Sequence, residues 1–139
     1  MSYDKLRYFA YGPLESYIDK RQASLLGWHV DTVETQYAHP LRPQESGSHY
    51  GARSLTLHGA QGALRIEGEG FGFSALNYSQ EQLADVAHDD ELSCEDRCVL
   101  CLDMAQRGIG SNSCGPELPA CYEIADHIQW QVMLDPLAE

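Results

Sequence analysis

Apolar and polar residues alternate most cleanly near the end of the chain, where Ile128, Trp130, Val132 and Leu134 point one way and Gln129, Gln131 and Met133 the other. Successive side chains of an extended strand face opposite sides, so this spacing predicts a half-buried strand. The same period sets Leu55 and Leu57 on one strand face and Leu64 and Ile66 on the next, with His58-Gly59-Ala60-Gln61-Gly62 as the turn of a hairpin. Further strands are predicted over Leu6–Tyr11, Leu26–Val33, Phe71–Ala75 and Arg97–Asp103. Glycine and proline recur between them and leave mostly short segments, which suits strands better than helices.

One helix is predicted. Ser79 and Gln82 have capping-box spacing, Tyr78 and Leu83 can form a hydrophobic staple, and Leu83, Val86 and Ala87 share a face, with an end near His88. The expected class is therefore all-β, an antiparallel β-sandwich with one short helix near residues 79–88. No repeat, low-complexity tract or linker divides the chain, so residues 1–139 are expected to form a single domain, with Pro136 to Glu139 frayed.

Composition narrows the partners. The 139 residues are 43% hydrophobic and 22% charged, a globular balance. A formal charge of −12 opposes approach to a phosphate backbone or an anionic membrane, so nucleic acid and membrane are not expected partners. No stretch approaches the ~20 apolar residues of a membrane span, and Met1 to Tyr11 lacks a signal peptide's apolar region. A cytoplasmic location is the expectation. Five cysteines at irregular spacing fit reduced thiols better than a disulfide framework.

Three segments carry candidate chemistry. Cys94, Cys98 and Cys101 have roughly the spacing of zinc ligands, but on a strand Cys98 and Cys101 would lie on opposite faces, so half-buried thiols and no metal site are expected. The run Gly108 to Pro116 is rich in glycine and small polar residues, suiting a loop of fixed shape whose backbone packs closely; it lacks the Gly-Lys-Ser/Thr ending of a phosphate cradle. Between Arg42 and His49 a guanidinium, an amide, the Glu45 carboxylate and an imidazole fall within eight residues, enough to bind hydroxyls, although polar loops commonly have such a mix. The six histidines show no H-E-x-x-H or H-x-H spacing.

Taken in order, several blocks resemble the terminal domain of the large β-galactosidases of glycoside hydrolase family two. Tyr11-Gly12-Pro13-Leu14-Glu15-Ser16-Tyr17-Ile18-Asp19-Lys20-Arg21 is similar to that family's Y-G-x-G-P-x-E-x-Y-x-D-R stretch, with one residue fewer at its start. Arg42-Pro43-Gln44-Glu45-Ser46-Gly47 resembles P-Q-E-N-G, and Phe71 to Ala75 followed by Tyr78 to Leu83 resembles F-x-F-S-A and Y-S-x-x-x-L. His88 to Leu92 is similar to H-x-x-E-L, Leu100 to Asp103 to L-N-L-D, and Gly108 to Pro116 to G-x-G…S-x-G-P.

The resemblance implies part of a galactose-mutarotase-like super-sandwich that begins inside the domain, the fifth of the parent enzyme. It implies that the nucleophile and acid/base of a retaining glycosidase belong to a separate barrel, so no catalytic residue is expected here and the chain alone should be inactive. The loop would help wall the sugar site. In one branch of the family a tryptophan stands there; this chain instead offers Asn112, Ser113 and Cys114, with Arg42, Glu45 and His49 as additional polar contacts. The expected partners are a galactoside or other sugar, the remainder of the enzyme, and a second copy through exposed apolar surface. No cofactor is expected here; the magnesium and sodium of intact family members would sit outside this region. Two alternatives stay open: a free-standing carbohydrate-binding module presenting Trp28, Trp130 and Tyr122, and a mutarotase-like enzyme using His49 or His88 with Glu45, Glu91 or Asp103.

Overall fold

The computed structural model describes residues 2–110 and 115–138. Six strands form one antiparallel sheet: β1 (Tyr3–Gly12), β2 (Leu25–Thr32), β3 (His49–Gly59), β4 (Gly62–Leu76), β5 (Val99–Asp103) and β6 (Val132–Leu137). Their order is β2-β1-β3-β4-β5, and β6 pairs with β4 beside β5. The chain is thus all-β, as its alternation predicts. The β3–β4 hairpin is tighter than its five-residue turn suggested, because Gly59 still pairs with Gly62 across Ala60 and Gln61.

Sequence reading split β4 in two, and the structure joins the pieces. Between Glu67 and Phe71 the pairing with β3 shifts register, and Gly70 turns through φ +72°. Such an irregularity changes which residues face inward. Leu64 and Ile66 face the core before it, and Phe71, Phe73 and Ala75 after it, so one strand carries two inward sets of opposite parity. With Leu6, Tyr8 and Ala10 of β1 and Leu55 and Leu57 of β3 they build the main core, against which Cys98, Trp130 and Val132 pack.

The strand β1 starts earlier than expected, at Tyr3, and β5 later, at Val99. The helix α1 (Gln80–Asp85) starts as predicted, with Ser79 Oγ accepting from Gln82 N at 3.2 Å, and Leu83 packs with Tyr78. It ends three residues before His88. The Gln82 side chain bonds the Ser93 carbonyl instead of closing the box, and Ala87 N–H donates to Glu91 Oε2, which draws the chain into a 3-10 turn at Asp89–Glu91. At the far end β6 begins only at Val132, while Pro136 and Leu137, expected to fray, pair with Leu64 and Ala63. Trp130 and Val132 reach the core as alternation requires. Ile128 and Leu134 stay exposed, since residue 128 precedes the strand and β6 is an edge.

Candidate functional site

The side of the sheet away from the core is closed over at its β4–β5 end. Phe73 pairs with Leu102 toward the core, so their neighbours Ser74, paired with Cys101, and Gly72, paired with Asp103, turn to the opposite face. Tyr17, Glu45, Gln80 and the segment Ala105–Ile109 enclose this strip in a cleft of about 370 Å³. Gly72 leaves room for the Gln106 amide, which stands 2.6 Å from where a Cβ would lie and would have to shift to admit one.

Donors and acceptors alternate around the cleft. Gln80 Nε2 donates to Glu45 Oε2 at 2.8 Å, and Gln106 Nε2 donates to Ser48 Oγ at 2.9 Å and Asp103 Oδ2 at 3.2 Å. Gln106 Oε1 is buried and accepts no hydrogen bond from the described residues. Loss of hydration pushes the Glu45 carboxyl above its ordinary range, and the negative charges of Asp103 and Glu15 add to this against the Gln80 amide. Two carboxyl groups, the Arg107 guanidinium, two amides, the Tyr17 phenol, a serine hydroxyl and a thiol border one concavity, a mix of donors and acceptors that suits a ligand bearing several hydroxyls.

The wall containing Glu45 is held from the segment after β1. Glu15 Oε2 accepts from Gly47 N at 3.1 Å and Ser46 Oγ at 3.3 Å, while Oε1 pairs with Lys20 Nζ. Burial resists its ionisation, but the Lys20 ammonium, the Gly47 amide and the Ser46 hydroxyl outweigh this and hold the pKa below the ordinary value. Ser16 adds a second tie: its N–H donates to the Ser48 carbonyl at 2.7 Å, and its Oγ accepts from Tyr50 N at 2.9 Å. Nothing in local sequence pattern announced Glu15, Ser74, Gln80 or Gln106 as parts of one site, because they come from four separate segments.

Among the residues singled out from sequence, Asn112, Ser113 and Cys114 lie outside the described residues. Arg42 is exposed and borders a separate pocket with Pro43, Gln44 and Leu83; Glu45 lines both that pocket and the cleft. His49 is buried at the start of β3 and lines a neighbouring cavity of about 610 Å³ with Glu15, Asp31 and Gln36. Its Nδ1 lies 3.1 Å from the Tyr11 carbonyl and its Nε2 2.6 Å from Gln36 Oε1, beneath the Tyr8 ring. Burial is the largest influence on this imidazole and pushes its pKa down to about 4. Arg42, Glu45 and His49 therefore do not converge on one pocket.

Of the other candidates, Trp28 is half exposed, Trp130 packs on the core, and His88 is exposed. Cys98 and Cys101 are half-buried and Cys94 is exposed. Among the described residues no three His, Cys, Asp or Glu side chains are grouped to hold a metal ion.

A family profile described as the β-galactosidase small chain matches residues 1–134. The chain belongs to this family. Its small-chain domain is 38% identical over 121 residues to the β-galactosidase of Actinobacillus pleuropneumoniae, covering 87% of this chain and 12% of that protein. It is 36% identical over 135 residues to that of Staphylococcus xylosus, covering 96% of the chain and 14% of the relative. It is 35% identical over 142 residues to that of Streptococcus thermophilus, covering 97% and 14%. The chain thus spans about one-eighth to one-seventh of the curated relatives' length. The blocks after β1, around Glu45 and along β4 that suggested the family are the same ones that assemble the cleft of this small-chain domain. No helix among its described residues is long and apolar enough to cross a membrane.

Proposed function

We propose that this small-chain domain, the C-terminal part of the fifth domain of a glycoside hydrolase family two β-galactosidase, completes the sugar site of the intact enzyme. The hydrolysis of terminal β-galactosides is carried by two carboxylates in another domain, and this chain contributes binding surface and support. The observation that carries the reading is the polar cleft itself: Glu45, Gln80, Asp103 and Gln106 surround a concavity that is also bordered by Gly108 and Ile109, at the start of the loop reaching Pro116. In this reading Asn112, Ser113 and Cys114 meet the sugar, and Glu45 is the member of the Arg42–His49 block that faces it.

The remainder of the parent enzyme is the proposed partner. At the open edge of the sheet Leu25, Leu26, Trp28 and Val30 of β2 are exposed, and apolar surface of this kind is normally covered. We place further strands of a galactose-mutarotase-like super-sandwich there, contributed by the remainder of the enzyme, with self-association as their substitute when the chain is alone. The enzyme is cytoplasmic in this reading, and its magnesium and sodium are bound by residues outside this chain.

A protein-observed NMR titration with galactose, lactose and glucose tests the site. Shifts at Glu45, the Gln80 and Gln106 side-chain amides and residues 108–114, saturating with galactose or lactose and weaker with glucose, are the expected result. Absence of any localised shift up to high millimolar sugar would overturn sugar recognition by this domain.

A further inference from the structure

The loop after β5 is tied down by a side chain ninety residues earlier. Tyr17, Ile18, Asp19 and Lys20 form a closed turn in which Tyr17 N donates to the Lys20 carbonyl at 2.8 Å and Lys20 N to the Tyr17 carbonyl at 3.1 Å. From this turn Asp19 Oδ1 accepts from Ile109 N at 3.2 Å and Oδ2 from Gly110 N at 2.8 Å. Two successive backbone amides thus meet one carboxylate, an arrangement that fixes both the position and the orientation of the peptide.

The glycines of Gly108-Ile109-Gly110 make the approach possible. Gly108 has φ +96°, and a Cβ there would overlap the Asp19 carboxyl group; a Cβ on Gly110 would stand 3.1 Å from Asp19 Oδ2 and 2.7 Å from Leu118 Cδ2. On the same segment Glu15 holds Ser46 and Gly47. Two carboxylates four residues apart therefore clamp the two loops flanking the cleft, with Tyr17 between them in its lining.

We propose that Asp19 is a positioning residue of the sugar site: it fixes the backbone at Ile109–Gly110, where Gly108 and Ile109 border the cleft. This inference rests on the sugar-site reading above. Asp19 does not touch the sugar; it acts through the loop. Asparagine keeps one acceptor oxygen and presents an N–H₂ to the other amide, and alanine keeps neither, so loop order and sugar affinity fall in the order aspartate, asparagine, alanine.

The test uses the whole chain with Asp19→Asn and Asp19→Ala, and two readouts. Both bonds are exposed, so amide hydrogen exchange at Ile109 and Gly110 accelerates in the alanine variant by about 2- to 10-fold, the range for losing an ordinary net hydrogen bond, and by less in asparagine. Amides of β1 and β3 stay as in the wild type and certify the fold. Galactose affinity measured by the NMR shifts drops in the same graded order, while the urea midpoint falls only as far as the exchange factor accounts for, with unchanged slope. Unchanged exchange at both amides in both variants would overturn the clamp. Faster exchange with unchanged galactose affinity would overturn its positioning role. If wild-type chain shows no galactose shifts, the sugar-site reading fails, and with it Asp19's role there, while exchange still decides whether the carboxylate holds the loop.

Discussion

Replacing Glu15 with alanine leaves the Gly47 N–H without its acceptor. Gly47 is buried, with φ +71°, and a Cβ added to it would meet the Gln36 carbonyl, so the segment has little room to turn toward water. A hydrogen bond to a charged group is worth about 1.5–3 kcal/mol. The Lys20 pair adds only about 0–1 kcal/mol, since half of the lysine side chain is exposed at 52%. The expected loss for Glu15→Ala is therefore about 1.5–4 kcal/mol at neutral pH, read as a lowered urea midpoint with unchanged slope. A double-mutant cycle with Lys20→Ala should return a coupling below about 1 kcal/mol, assigning most of the effect to the Gly47 and Ser46 bonds. The pH dependence has a definite sign. Glu15 has a folded pKa below its ordinary 4.5, so between the two values the unfolded chain binds more protons. Its contribution is fully present above pH 4.5 and is lost as pH falls through the folded value. Glu15→Gln removes that part of the acid limb. A Glu15→Ala variant within about 0.5 kcal/mol of wild type, the usual range for an inert surface change, would refute the reasoning.

Two further predictions concern the core. Phe73 is fully buried, with Tyr8, His49 and Phe71 around its ring, so Phe73→Ala should cost about 3–5 kcal/mol in urea unfolding; a loss below about 1 kcal/mol would mean that the packing around β4 is wrong. His49 titrates near pH 4 when folded against 6.5 ordinarily. Its contribution is constant above pH 6.5 and declines as pH falls from there toward the folded value, because the unfolded chain takes up the proton first. NMR titration of its ring should show no protonation at pH 6, and His49→Gln should flatten the stability profile between pH 6.5 and 4.

The elements were largely legible where one physical preference acted alone. The hairpin around Ala60-Gln61 followed from alternation plus glycine, and the start of α1 from Ser79 and the Tyr78–Leu83 contact. The ends of α1 and β6 were not, because they turn on competition. Glu91 captures the Ala87 amide beyond the helix, and the edge of β4 offers partners even to Pro136. Proline at an edge strand sacrifices no ladder bond if its missing N–H faces outward, a condition that only the neighbouring strand can set.

The site divides in the same way. The chain's composition, alternation and ordered blocks from Tyr11 to Pro116 already carried its acidic charge, the all-β class and the family, because these are properties of the one-dimensional chain. They also brought forward Glu45. They were silent on Ser74 and Gln106 lining one cleft with it, on His49 turning inward to Tyr11 and Gln36, and on Asp19 reaching Ile109 and Gly110. Those pairings join residues up to 91 apart. Their distances depend on the β3–β4 register shift and the closure of the Tyr17–Lys20 turn, which exist only once the sheet has formed.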